Sequence, residues 1–144
     1  MKTRYNSLVS VKKNIMQRSE EALHVANTNL ESALIALESS CQLLSQIDTP
    51  ASGDMSKFLT ARMLLDAQRE MIKHNEEWVA YTRKELSQAK NILKEHTLEY
   101  EKFNYLELQE IQNELKRQKK LESKNLDEVA LMTFDGKRYK RKIS

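Results

Sequence analysis

The stretch IDTPASGD, residues 47–54, holds the only proline of the chain, Pro50, and one of its two glycines, Gly53. Proline lacks the backbone N–H that a helix interior needs and biases Thr49 toward extended geometry. Gly53 tolerates backbone angles that other residues avoid. Asp54 or Ser56 can cap a helix that follows, by accepting a bond from an otherwise unpaired N–H. These residues therefore read as a single turn between two uninterrupted segments.

Both segments carry apolar stripes. Before the turn, Val9, Met16, Leu23, Leu30, Leu37 and Leu44 recur every seven residues, with Ser19, Ala26, Ala33, Ser40 and Ile47 on a second row beside them. After it, Phe58, Leu65, Ile72, Val79, Leu86, Leu93 and Tyr100 repeat at the same spacing. A strict heptad repeat brings a seam to one helix face and makes helices wrap. No strand-length stretch alternates at period two. The fold class that follows is all-α: a two-helix antiparallel coiled-coil hairpin with a longer second helix. Helix 1 is expected at about residues 4–47, the turn at 48–54 and helix 2 at about 55–125, followed by a C-terminal segment, 126–136, and a basic disordered tail, 137–144.

Folding the chain symmetrically at Ser52 and Gly53 sets a register. Ile47 then lies opposite Phe58, Leu44 opposite Ala61, Leu37 opposite Gln68, Ala33 opposite Ile72, Leu30 opposite Asn75, Ala26 opposite Val79 and Met16 opposite Ala89. Nearly every layer joins a large apolar side chain to a small or polar one, as close packing at constant separation requires. One flank of this hairpin sets Glu20 and Asp48 against Arg62, Arg69 and Arg83. The other is apolar: Leu8, Ile15, Ala22, Ala36 and Leu43 with Leu64, Met71, Trp78 and Ile92. Such an edge marks a partner surface or broadens the hairpin's own seam. Beyond the end of helix 1, Leu106, Leu108, Ile111 and Leu115 are left without a partner in the chain. An unpaired amphipathic helix is marginal in water and calls for a groove or another helix.

The chain has 144 residues, one domain's worth, of which 31% are charged and 6% aromatic. That profile suits long helices better than a broad core. One cysteine, Cys41, excludes an intramolecular disulfide framework and fits a reducing compartment. No apolar run follows Lys2 and Arg4, which argues against a signal peptide, and none is long enough to span a bilayer. The net charge is +3, and the last eight residues, KRYKRKIS, carry five cations and no acid. A basic tail of this kind contacts phosphate, anionic lipid or an acidic protein surface, or stays solvated.

Nothing in the sequence points to catalysis. It has no Gly-rich phosphate loop, no nucleophile elbow and no HExxH. His24, His74 and His96 do not cluster with carboxylates at metal-site spacing, so no cofactor is expected. Nucleic-acid binding is not expected either, for no zinc ligands, recognition-helix unit or aromatic sheet motif is visible. Met132 and Phe134, close to the basic tail, leave room for a peripheral membrane contact.

The plan as a whole resembles the FliJ family of the flagellar type III export apparatus. The resemblance starts with YNSLVSVKKNIMQRSEEAL, residues 5–23, and closes with KLESKNLDEVALMTF, residues 120–134, with the hairpin and the longer second helix between them. It implies a soluble, monomeric stalk, cytoplasmic and peripheral to the inner-membrane export apparatus. Its implied partners are the hexameric export ATPase, FliI-like, the cytoplasmic domain of the export gate, FlhA-like, and export chaperones. The ATPase-facing end is expected where the termini meet, at Leu8, Val11 and Ile15 with Leu126, Asp127, Glu128 and Val129. The gate-facing surface is expected on the loop-proximal half. The segment MLLDAQREMIKH there offers Met63, Ala67, Glu70 and His74, and helix 1 offers Leu43 and Ile47. The apolar flank overlaps this half and adds Met71 and Trp78. The chain departs from the family in lacking the tyrosines commonly placed before the turn. The competing reading is a generic adaptor coiled coil that homo-oligomerises through Leu106–Leu115 and uses the basic tail for acidic partners.

Overall fold

The computed structural model describes the backbone of residues 2–143 and the side chains of residues 2–137. Two helices make up the ordered backbone: α1, Asn6–Gln46, and α2, Met55–Ile143. They pack against each other as an all-α hairpin. By its contacts the chain divides into two units, Lys13–Leu98 and Met1–Lys12 with Glu99–Ser144.

The turn behaves as its residues require. The last turn of α1 tightens, with the Ile47 N–H donating to the Leu44 carbonyl at 3.3 Å. Asp54 then occupies the N-cap position of α2, its carbonyl accepting from the N–H groups of Lys57 at 3.0 Å and Phe58 at 3.4 Å. Gly53 has φ +150°, a conformation that side-chain-bearing residues rarely adopt.

In Lys13–Leu98 the seam is built around small side chains. Ser19, Ala26, Ala33 and Ser40 are the buried residues of α1, one per heptad, and Ala33 is only 1% exposed. Ala61, Val79 and Thr82 are their buried counterparts on α2. The large residues Met16, Leu23, Leu30, Leu37, Leu44, Leu65, Ile72, Leu86 and Leu93 are half-buried beside this strip. Small residues thus form the line of closest approach, and the large ones cover its sides. The two serines and Thr82 solve their own polar problem, since each hydroxyl donates to a carbonyl of the preceding turn: Ser19 to Ile15, Ser40 to Leu37, and Thr82 to Trp78 and Val79.

The register is displaced from the symmetric one. Gln68 bonds the Ser40 carbonyl at 2.8 Å rather than lying level with Leu37. Asn75, expected opposite Leu30, instead donates to the Ala36 carbonyl at 3.3 Å and the Ser40 hydroxyl at 3.1 Å. Side chains lean toward the N-terminus of their own helix, which accounts for a displacement of about one or two residues. The remainder is a slide of up to about one heptad. Asp48 and Pro50 border a hollow together with Lys57, Thr60, Ala61 and Leu64, which sets the loop beside the first turns of α2. Ala61 is therefore buried, whereas Phe58, expected in the first seam layer, is exposed.

The slide has two further consequences. Glu20 and Asp48, set against Arg62, Arg69 and Arg83 by the symmetric register, form no ion pair with them among the described residues. The cross-helix pairs are Lys12–Glu99 at 3.7 Å and Arg4–Glu110 at 3.5 Å, both in the unit formed by Met1–Lys12 and Glu99–Ser144. In that unit Lys2, Thr3 and Arg4 share a hollow with Glu110, Glu114 and Gln118. Leu106 and Ile111 are consequently half-buried and not bare.

The far end of α2 also differs from expectation. The helix does not stop near residue 125, and 126–136 is not a separate segment. The residues there, including Leu126, Glu128, Ala130, Leu131 and Met132, are good helix formers, and one glycine costs a helix only about 1 kcal/mol relative to alanine. Gly136 has nothing within 4 Å of where a Cβ would stand. The tail expected at 137–144 falls almost wholly on side chains outside the described residues, while the helical backbone runs to Ile143.

Candidate interaction surfaces

On α2 the expected gate-facing residues fall on one face. Met63, Ala67, Glu70, Met71, His74 and Trp78 are spaced by three, four or one residue along the helix, which confines them to an arc of about 100°. All six are exposed. Of their expected companions on α1, Leu43 is exposed and Ile47, at the start of the loop, is half-buried.

The apolar flank is present and shaped. Trp78 stacks on Tyr81 with ring centroids 5.4 Å apart and planes inclined by 20°. The pair borders a hollow of about 450 Å³ with Ala22, Val25, Ala26, Asn29, Thr82 and Glu85. A second hollow, of about 420 Å³, shares Ala22, Ala26 and Glu85 with it and reaches Ile15, Ser19, Ala89, Ile92 and His96. The two hollows exist because alanines and a serine leave space that a leucine would fill. Val25 is 57% exposed, Trp78 46%, Tyr81 53% and Ile92 48%, so the flank does not close over itself. Val25 and Tyr81 were not singled out from the sequence. Val25 lies three residues from Ala22 and Tyr81 three from Trp78, one helical turn on the same side, and that spacing was the available signal.

The expected ATPase-facing set is not one surface. Leu8 and Val11 are exposed on α1, close to the Lys12–Glu99 and Arg4–Glu110 pairs. Leu126, Asp127, Glu128 and Val129 lie sixteen residues or more beyond Glu110 on α2, roughly 24 Å along the helix axis. The structure therefore does not bring the two halves together. Ile15 lies in the other unit and lines the hollow with Ser19 and His96. Every residue from Lys116 to Lys137 is exposed, including Leu121, Leu126, Val129, Leu131, Met132 and Phe134. Of the expected overhang surface, Leu108 and Leu115 are exposed, whereas Leu106 and Ile111 are half-covered.

Among the described residues no group of three or more His, Cys, Asp or Glu could hold a metal ion. No helix among them is long and apolar enough to cross a membrane. Cys41 is a free, exposed thiol.

The chain is an all-α helical hairpin with exposed apolar and charged faces beside a narrow buried seam. Residues 1–138 match the family model described as flagellar FliJ protein. The chain belongs to the FliJ family, and with it to the proteins of flagellar export. Comparison with curated proteins and with solved structures gives no match.

Proposed function

We propose that this FliJ-family chain is a stalk-like component of the flagellar export apparatus. In this reading it links the hexameric export ATPase to the cytoplasmic domain of the export gate, escorts export chaperones and works at the cytoplasmic face of the inner membrane. The observation that carries the reading is the shaped apolar flank at Ala22, Val25, Trp78 and Tyr81, left open although the seam beside it is buried. A contiguous exposed apolar edge of this kind serves a partner. The gate is assigned to the flank and to the face carrying Met63, Ala67, Glu70, Met71, His74 and Trp78. The ATPase is assigned to Leu126–Val129 and, separately, to Leu8 and Val11. Coupling between the two partners requires that each bind differently in at least two states of the other.

The test uses the full chain with the ATPase and with the gate cytoplasmic domain in pull-downs. Leu126→Asp with Val129→Asp should abolish ATPase capture and leave gate capture intact; Leu43→Asp with Trp78→Asp should do the reverse. If neither lesion abolishes either interaction while the helical circular dichroism is unchanged, the assigned surfaces are wrong. Sedimentation equilibrium of the pure protein should give a monomer. A dimer or tetramer that dissociates on Leu108→Asp with Leu115→Asp would favour the homo-oligomeric adaptor.

A further inference from the structure

The seam of Lys13–Leu98 repeats itself. A slide of α1 along α2 by one heptad sets Ala26 where Ala33 was and Leu30 where Leu37 was, so the apolar residues alone do not choose one register. Two registers can be written down. One is the symmetric alignment, with Met16 opposite Ala89 and large side chains meeting small ones. The other is the alignment the structure shows, in which Gln68 and Asn75 reach Ser40 and Ala22 lines a hollow with Ala89. Something other than apolar packing must select between them.

The polar contacts across the seam are concentrated at one place. Gln68 and Asn75, seven residues apart on α2, both converge on the α1 turn Ala36–Ser40. Gln68 Nε2 donates to the Ser40 carbonyl at 2.8 Å, and Asn75 Nδ2 donates to the Ser40 Oγ at 3.1 Å and the Ala36 carbonyl at 3.3 Å. Ser40 Oγ in turn donates to the Leu37 carbonyl at 2.8 Å, and Ser40 is only 4% exposed. Ser40 is thus acceptor at two atoms and donor at one. A slide of one heptad toward the symmetric register would set Asn75 near Asn29 and Ala33, where no seam hydroxyl stands, and would leave Ser40 facing apolar Leu65. Partly buried amides that lose a partner are costly in a way that apolar side chains are not.

We infer that Ser40, Gln68 and Asn75 form a register lock that holds the hairpin in its displaced alignment against a second, symmetric alignment about one heptad away. Releasing the lock lets α1 slide by roughly 10 Å along α2. The slide carries Leu43 and Ile47 away from Met71, toward the start of α2, and redraws the hollows beside Trp78. The eight residues of the loop, 47–54, span the helix ends in the displaced alignment and have a shorter distance to cover in the symmetric one. A partner that fits the flank in only one alignment would set the register, and the register would in turn set the flank. The inference does not depend on who the partner is.

Disulfide trapping reads the register directly. In a Cys41→Ser background, Ala89→Cys is combined with either Ala22→Cys, which reports the displaced alignment, or Met16→Cys, which reports the symmetric one. With the lock intact, mild oxidation should close Ala22–Ala89 within one molecule and leave Met16–Ala89 open. Gln68→Leu with Asn75→Leu should make the Met16–Ala89 disulfide the major product and reduce the other to the minor one. A second variant keeps both amides and moves only the hydroxyl by a heptad: Ser40→Ala with Ala33→Ser should shift the closure in the same direction. Unchanged closure of both pairs in both variants, with helicity preserved, would overturn the inference, as would closure of Met16–Ala89 in the unmodified lock.

Discussion

The seam of Lys13–Leu98 and the α2 stretch Lys116–Lys137 are both helical, and both carry Leu, Val, Ala and Met at helical spacings. In the first, one small residue per heptad is buried; in the second, every side chain is exposed. The difference lies in what stands opposite. α1 faces the first region of α2, and no described segment of the chain covers the second. Helical periodicity supplies a face that can be buried, but only a second surface buries it, and most helix stability in proteins comes from that burial.

The sharpest way to break the comparison is amide hydrogen exchange. Amides of residues 20–40 sit in a paired helix whose opening requires most of the seam to come apart, whereas those of residues 116–137 open by fraying alone. With a seam worth even about 3 kcal/mol, protection should differ by roughly a hundredfold or more. Equal protection in the two stretches would mean that α2 is stabilised beyond Leu115 by something other than pairing. Adding a partner that docks there should raise protection in 116–137 and leave 20–40 unchanged.

Substitution at the most buried point should come next in size. Ala33 is 1% exposed at the line of closest approach. Ala33→Leu forces the helices apart or its own side chain off-rotamer, at about 1–3 kcal/mol. Thermal denaturation followed by circular dichroism should show a clear drop in Tm. An unchanged Tm would mean that the helices are not in close contact at this heptad.

How much of this was legible beforehand depends on what each residue reports. Pro50 and Gly53 mark a chain reversal because proline cannot continue a helix through it and glycine takes the backbone angles a turn needs, and the heptads on either side name the seam residues. Every residue of the two α1 rows from Val9 to Ile47 is at least half-covered. The register was not legible. Symmetric folding assumes level helix ends, and loop residues such as Asp48 and Pro50 carry no signal for lying back along α2. The heptad repeat conceals the error, because a slide of about seven residues preserves the hydrophobic pattern. Gln68 and Asn75 were visible as polar seam residues, yet their common partner, Ser40, emerges only when both helices are in place. The candidate surfaces divide in the same way. Residues on one helix, such as Met63 to Trp78, share a face whatever the register. Sets drawn from two helices, such as Leu8 with Leu126, required the register and are not adjacent.

Ser40→Ala should have a smaller effect than Ala33→Leu. It removes the hydroxyl that accepts from Asn75 and leaves the backbone carbonyls that also receive Gln68 and Asn75. One neutral hydrogen bond is worth about 1 kcal/mol net, so the melt should shift by that order. Ser19→Ala is the control. Its hydroxyl donates only to Ile15 of its own helix, in a bond that slightly opposes helix geometry, so the change should be near neutral. If the two serines behave alike, Ser40 does not act across the seam.

The smallest effect is expected where the second region is most apolar. Leu126 is 68% exposed and Val129 59%, on a stretch that nothing in the described chain covers. In an ordinary core Leu→Ala costs about 2–5 kcal/mol, mostly through the cavity it leaves. Here no cavity can form, and alanine is the better helix former. Leu126→Ala with Val129→Ala should therefore leave the Tm of the free protein within the shift that about 0.5 kcal/mol produces, and should slightly raise helicity. The same pair of changes should weaken capture of whatever docks on this stretch. Binding would then respond to a variant that leaves melting nearly unchanged, which separates residues kept for the fold from residues kept for a partner. Loss of Tm in the free protein would place a second surface against Leu126 and Val129 and remove the contrast between the two regions.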